Sequence, residues 1–375
     1  MKFAAIGMLL LTLVMSSCTR EAGQEQLTRQ VENQTDLPYR VEVAADHLDV
    51  PWEMDVAKDG RIFIAERSGR VRVMVDDQLL PEPVINLAED IHQEAESGLL
   101  GLVMDPNFEQ NRYLYVYHTY DKNGVLYNRV LRLKEQNNRA TVDRILLDGL
   151  GGETSGNHNG GRIKIGPDGK LYVTMGEQYQ PELAQDPNVR SGKILRINLD
   201  GSIPADNPVA GSPMYSMGHR NPQGLAWHPE TGRLYASEHG QSAHDEINLI
   251  EAGANYGWPV IEGDETSAEH PAFKTSIIHS GDETWAPSGI TFVSQGPWKG
   301  QLLVANLRGQ QVLSMTLDAS GEKVANVQSL FRNYGRIRNV YEAPGGVLYF
   351  MTNNRDGRGN PQEGDDKLIR LVSKG

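Results

Sequence analysis

A short pattern recurs six times along this chain. A turn, often closed by glycine, leads into a small or polar residue and then two apolar or aromatic ones. The copies are Asp59-Gly60-Arg61-Ile62-Phe63, Asn111-Arg112-Tyr113-Leu114-Tyr115, Asp168-Gly169-Lys170-Leu171-Tyr172, Thr231-Gly232-Arg233-Leu234-Tyr235, Lys299-Gly300-Gln301-Leu302-Leu303 and Gly345-Gly346-Val347-Leu348-Tyr349. Their spacing, roughly 45 to 70 residues, is that of a four-stranded blade carrying long loops. Each tight turn draws its backbone freedom from Gly, Asp or Asn. One blade cannot bury both of its faces, so it must stack on neighbours around an axis. The count therefore predicts an all-β, six-bladed β-propeller. The missing Trp-Asp signature sets it apart from WD40 repeats, and the lack of alternating helical segments excludes doubly wound and bundle folds.

Composition narrows the partners. A hydrophobic content of 39% with 39 glycines and 19 prolines suits a compact, turn-rich protein rather than a disordered one. A net charge of −13 argues against nucleic acid and against electrostatic attachment to an anionic membrane. At the N-terminus, Lys2 precedes an apolar run from Phe3 to Met15 that is too short to span a bilayer. Ser16, Ser17 and then Cys18, the only cysteine, follow in the manner of a lipobox. The expected organisation is a lipoprotein signal peptide over residues 1–17, a lipidated Cys18 with a polar tether over 18–36, and the propeller over 37–375. Such a chain would sit on the periplasmic side with membrane contact only through its lipid. Thr19, rather than aspartate, points to the outer membrane of a Gram-negative host.

Four stretches could carry chemistry. Gly156-Asn157-His158-Asn159-Gly160-Gly161-Arg162 surrounds a histidine with glycines, leaving the ring uncrowded and able to act as a base near neutral pH. Glu177 follows the third repeat and is placed to support that histidine from behind. Gly218-His219-Arg220-Asn221-Pro222-Gln223 offers a fixed cation and an amide donor for an oxyanion or quinone oxygen. Ser237-Glu238-His239-Gly240-Gln241, leading to Asp245-Glu246-Ile247-Asn248, mixes carboxylates with loop carbonyls that suit calcium. Arg336 and Arg338 alternate on one strand face, where two guanidinium groups call for an anion between them, and Arg308 could join them.

With these residues in place, the chain resembles the soluble PQQ-dependent glucose and aldose sugar dehydrogenases from about Val50 to Leu371. The matching stretches include Glu96-Ser97-Gly98-Leu99-Leu100-Gly101, Gly156-Asn157-His158, Gly192-Lys193-Ile194-Leu195-Arg196, His219-Arg220-Asn221-Pro222-Gln223-Gly224, Asp245-Glu246-Ile247-Asn248 and Asn255-Tyr256-Gly257-Trp258-Pro259. The resemblance implies that His158 takes the proton of the sugar C1 hydroxyl while hydride passes to the quinone, with Glu177 behind it. It implies cofactor contacts from Glu96, Arg220, Asn221, Arg308, Arg336 and Arg338, and a calcium ion held partly by backbone carbonyls at Gly240 and Gln241. An aldose would be the substrate, and a further electron acceptor would reoxidise the cofactor. Three departures from the family pattern stand out: Glu96 stands where some members have glutamine, Gln241 and Ala243-His244 replace Pro- and Gly-rich residues, and Arg308 replaces a lysine.

Two readings from other classes compete. A calcium-dependent lactonase on a six-bladed propeller needs a central cluster of Asp, Asn and Glu and has no use for the arginine pair. A binding propeller without catalysis has no need to keep His158, Arg220, Arg336 and Arg338 together.

Overall fold

The computed structural model describes residues 30–31 and 37–374. The expected signal peptide, Cys18 and most of the expected tether lie outside the described residues. Six antiparallel sheets follow one another along the chain. Blade 1 is built from Pro51–Val56, Ile62–Glu66 and Arg70–Val75 with two short outer strands. Blade 2 comprises Leu99–Met104, Tyr113–Lys122, Val125–Gln136 and Arg139–Glu153, and blade 3 comprises Ile163–Ile165, Leu171–Met175, Lys193–Ile197 and Met214–Met217. Blade 4 holds Pro222–Trp227, Leu234–Glu238, Glu246–Ile250 and Ile278–His279, and blade 5 holds Pro287–Phe292, Leu302–Asn306, Gln311–Leu317 and Val324–Leu330. Blade 6 combines Ile337–Glu342, Leu348–Thr352 and Leu368–Ser373 with Tyr39–Ala45 from the other end of the chain. That last pairing closes the ring with main-chain hydrogen bonds and makes Tyr39–Ala45 the outer strand of blade 6. Gln30–Val31, within the segment expected to be a tether, adds a parallel strand beside Gln328 and Ser329 of blade 5.

Each of the six sequence repeats enters the second strand of a blade. These strands are buried on both faces, so successive residues serve different cores. Ile62 and Ile64 pack toward blade 6, whereas Phe63 and Ala65 pack toward blade 2. Leu114 and Val116 likewise face blade 1 while Tyr115 and Tyr117 face blade 3. Six such clusters, one at each junction between neighbouring blades, make up the described apolar core.

The axis is polar and filled. Arg162 donates to the Glu53 carboxylate and, from Nε, to the Gln223 carbonyl at 2.7 Å. Its guanidinium lies 4.1 Å from the Trp52 ring. Asn339 also donates to Glu53, and Arg338 donates to Gln223 Oε1 at 2.8 Å. Burial works against ionisation of Glu53, but Arg162 and Lys164 override it and hold the carboxyl below its usual range. First strands of blades 1, 4 and 6 and the entry to blade 3 thus meet in one hydrogen-bonded plug, which forms the floor under the cleft described next.

Candidate active site

At one mouth of the channel, second strands end and first strands of the following blades begin. The side chains at these ends enclose a cleft of about 380 Å³. This volume falls within the range of small-molecule sites. His158, Glu96, Arg220, Arg308, Arg336, Arg338, Gly240 and Gln241 all line it, so eight of the ten residues singled out in the sequence converge.

His158 is presented by its glycine-rich loop in a left-handed conformation, with φ of 50°. Its amide donates to Glu96 Oε2 at 3.2 Å. Nδ1 lies 3.0 Å from both carboxylate oxygens of Glu177, which sits just past the second strand of blade 3. Gly176 makes that approach possible, because a Cβ there would run into the His158 carbonyl oxygen. Glu177 also accepts from the Tyr179 amide. With Nδ1 engaged, the tautomer carrying its proton there leaves Nε2 as the acceptor. Glu177 itself does not line the cleft and meets it only through the His158 imidazole.

Asn221, expected as a cofactor contact, is not among the residues that line the cleft. It is fully buried, accepts from the Gly160 amide at 3.0 Å and donates to Glu96 at 3.3 Å. Its amide ties the His158 loop to Glu96 from behind the cleft wall. Glu96 is also bridged by Arg358, whose Nη1 donates at 2.8 Å. Burial opposes ionisation of Glu96, but His239 and His158, each in its protonated form, and Arg358 outweigh it and hold the carboxyl down at about 2.

The anion expected between Arg336 and Arg338 is supplied to Arg336 by the chain itself. Asp356 accepts from Arg336 at 2.9 and 2.7 Å. Arg338 is left with the neutral Asn353, Gln223 and Ser288. Burial is the main force pushing its guanidinium down to about 9; Asp356 opposes this, and Arg336 and Arg67 add to it. Around the cleft stand six arginines, at 67, 220, 308, 336, 338 and 358, against three carboxylates, Glu96, Asp245 and Asp356. In a chain of net charge −13 that local excess marks an anion site. Arg220 Nε and His239 Nε2 are buried at this cleft without a hydrogen-bond partner, which leaves polar atoms for a ligand to satisfy. His239 is kept neutral because burial, then Arg220 and Arg338, push its ring down to about 3 despite Glu96.

The loop at Gly240 and Gln241 is fixed without the Pro- and Gly-rich residues of the family pattern. Asp245 accepts from the amides of Gly240, Trp285 and Ala286 at 3.0, 2.6 and 2.8 Å. The Gln241 amide donates to Glu262 at 3.0 Å. Neither the Gly240 nor the Gln241 carbonyl accepts a backbone hydrogen bond from another described residue. Among the described residues, no group of three or more His, Cys, Asp or Glu is placed to hold a metal ion. Two neutral carbonyls suit calcium only when a ligand's own oxygens complete the shell.

Arg67, Tyr179, His239, Asp356 and Arg358 belong to the cleft but were not among the predicted site residues. Arg67 and His239 directly follow second strands, a register that could have found them. Tyr179, Asp356 and Arg358 sit deeper in loops, where strand register gives no signal.

The model of the glucose/sorbosone dehydrogenase family matches residues 48–370. The chain belongs to that family. This family member is 31% identical to the aldose sugar dehydrogenase YliI of Escherichia coli, over 84% of this chain and 91% of the relative. Among solved structures, it is similar to a Thermus thermophilus oxidoreductase described as a glucose dehydrogenase, with a TM-score of 0.82 and 42% identity over 89% of this chain and 100% of that one. The PQQ-bound aldose sugar dehydrogenase of Streptomyces coelicolor superposes with a TM-score of 0.79 and 33% identity, covering 89% of this chain and 98% of that one. The cleft of this dehydrogenase-family protein has the volume, the arginine excess and the orphaned donors that a planar tricarboxylate such as PQQ requires.

Proposed function

We propose that this protein oxidises aldose sugars at C1 to lactones, with PQQ as the two-electron acceptor and calcium beside it. The observation that carries this reading is the His158–Glu177 pair, at 3.0 Å, opening onto an arginine-lined cleft. When bound, PQQ supplies the acceptor for the C1 hydride and calcium supplies Lewis acidity at the accepting carbonyl. Arg220, Arg308 and Arg338 would hold the cofactor's carboxylates and developing charge, and the Gly240 and Gln241 carbonyls would hold the metal.

His158 Nε2 takes the proton from the sugar C1 hydroxyl as the C1–H bond breaks and the C1 carbonyl forms. Glu177 stabilises the resulting imidazolium and fixes the ring's orientation. The lactonase alternative fares worse, since this mouth gathers arginines rather than the acidic cage such a hydrolase needs. We also propose that Cys18 anchors the enzyme on the periplasmic side; metabolic labelling with a fatty acid, lost in Cys18→Ser, tests that.

The test of the reaction is the fate of glucose labelled with carbon-13 at C1. Conversion to the lactone, one equivalent per two electrons delivered to a dye and only with PQQ present, is the expected result. Hydrolysis of lactone without any sugar oxidation would overturn the proposal.

A further inference from the structure

Tyr179 is the only Phe, Tyr or Trp among the described residues that is exposed, at 57%. It stands at the mouth of the cleft with its ring centroid 4.1 Å from that of His158, the planes inclined by 47°. An aromatic face left in water beside a proposed base needs a reason. Its position is built rather than incidental. Gln178 and Tyr179 both take left-handed backbone conformations, with φ of 58° and 56°. Gln178 turns inward, buried, where its Oε1 accepts from the Gly152 amide at 3.1 Å. The Tyr179 amide is held by the Glu177 carboxylate. The same carboxylate thus orients both the imidazole and the backbone that carries the aromatic ring. Arg358 lines the same cleft and presents a charged rim.

We propose that Tyr179 is a platform on which the C–H face of a pyranose lies while its C1 hydroxyl meets His158, which makes this residue a determinant of sugar binding. The proposal rests on the dehydrogenase reading above. Pyranoses present one face of C–H groups and a rim of hydroxyls. An aromatic ring takes the face through dispersion and its quadrupole, and charged donors take the rim. The substrate class it favours is a pyranose with equatorial substituents and an uninterrupted C–H face.

The test compares Tyr179→Phe, Tyr179→Leu and Tyr179→Ala in the PQQ- and calcium-loaded enzyme. Binding of 1,5-anhydroglucitol, a glucose analogue lacking the C1 hydroxyl, is followed by saturation-transfer NMR alongside KM and kcat. Leu and Ala are expected to raise the glucose KM about tenfold and to abolish analogue binding. In both, kcat should stay within about twofold and PQQ affinity should be unchanged. Phe should behave as wild type, because it keeps the face. Wild-type KM and analogue binding in the Leu and Ala variants would overturn the proposal. So would an unchanged sugar KM with a raised KM for the electron acceptor, which would make Tyr179 part of an acceptor surface. If the wild type oxidises no sugar with PQQ, the dehydrogenase reading fails separately, and analogue binding still decides whether Tyr179 is a sugar platform.

Discussion

His158 and Glu177 stand nineteen residues apart in the chain and 3.0 Å apart in space, with Nδ1 shared between both carboxylate oxygens. Blade 4 repeats the arrangement: His219 Nδ1 lies 2.9 Å from Glu238, again nineteen residues downstream. In that second pair the other ring nitrogen is also engaged, 2.8 Å from Ser216 Oγ, and the ring is fully buried against Tyr256. Blade geometry makes such pairs, since a residue before a first strand meets one at the end of a second strand. Only the pair whose Nε2 faces the cleft has a nitrogen left for a substrate.

His158→Ala should therefore fold, bind PQQ with near wild-type affinity and lose turnover by a factor of about 10² to 10⁴, the usual worth of a general base. Steady-state dye reduction together with a quinone titration checks both halves. Undiminished turnover would remove His158 from the reaction.

Glu96 places a fixed negative charge in a cleft otherwise suited to an anion. Held down at about 2, it stays ionised throughout the working range. Glu96→Gln keeps an acceptor for the His158 amide and frees Arg358 from its bridge. PQQ affinity should rise by about threefold to tenfold, most at low salt where the charge is least screened. An isothermal titration at two ionic strengths measures this, and weaker binding would show that Glu96 contacts the cofactor favourably.

Two glycines of blade 3 should respond differently to alanine. At Gly176 the added methyl collides with the His158 carbonyl oxygen, so the base must move. A stability loss of about 1–3 kcal/mol with a large fall in kcat is expected. At Gly169 nothing lies within 4 Å and the only cost is the left-handed φ of 70°. That variant should lose about 1–2 kcal/mol and keep its kcat. Denaturant unfolding and kinetics on the two proteins separate the cases.

Asp366 supplies a pH signature of stability. Buried within blade 6, its carboxyl is raised from 3.8 to about 6, chiefly by burial. Because the folded value lies above the unfolded one, the folded state holds a proton that the unfolded chain has released. Stability should fall as pH rises through that window, by up to about 3 kcal/mol in all. Asp366→Asn removes the titration but keeps an acceptor for the Asn354 amide. Urea midpoints at pH 4 and pH 7 should converge in the variant; an unchanged slope would move the effect to another group.

The fold was legible in the sequence because strand burial on both faces imposes a regular pattern, and each of the six repeats opens a blade's second strand. Arg336 and Arg338 were legible for a related reason, since they lie at the start of a strand, whereas His158 and Arg220 were marked by the glycines and proline that pin their loops. Arg220 lines the cleft, whereas the amide of its neighbour Asn221 turns back to the His158 loop, an alternation that no local pattern encodes. Asp356, Arg358 and Tyr179 depend on how long loops fold across blade boundaries. Arg358 meets Glu96, 262 residues away, through a contact no local pattern encodes. The closing of blade 6 by Tyr39–Ala45 was equally invisible, being a pairing of the two ends of the described chain.

If the arginine-lined cleft binds PQQ so that His158 can deprotonate a sugar, quinone binding and sugar oxidation must appear together. Titration of calcium-loaded apoprotein with PQQ, followed by addition of glucose with a dye acceptor, measures both. Saturable, stoichiometric quinone binding and dye reduction that requires quinone, calcium and sugar together are the expected results. Absence of quinone binding at micromolar concentrations, or sugar-independent dye reduction, would contradict that reading.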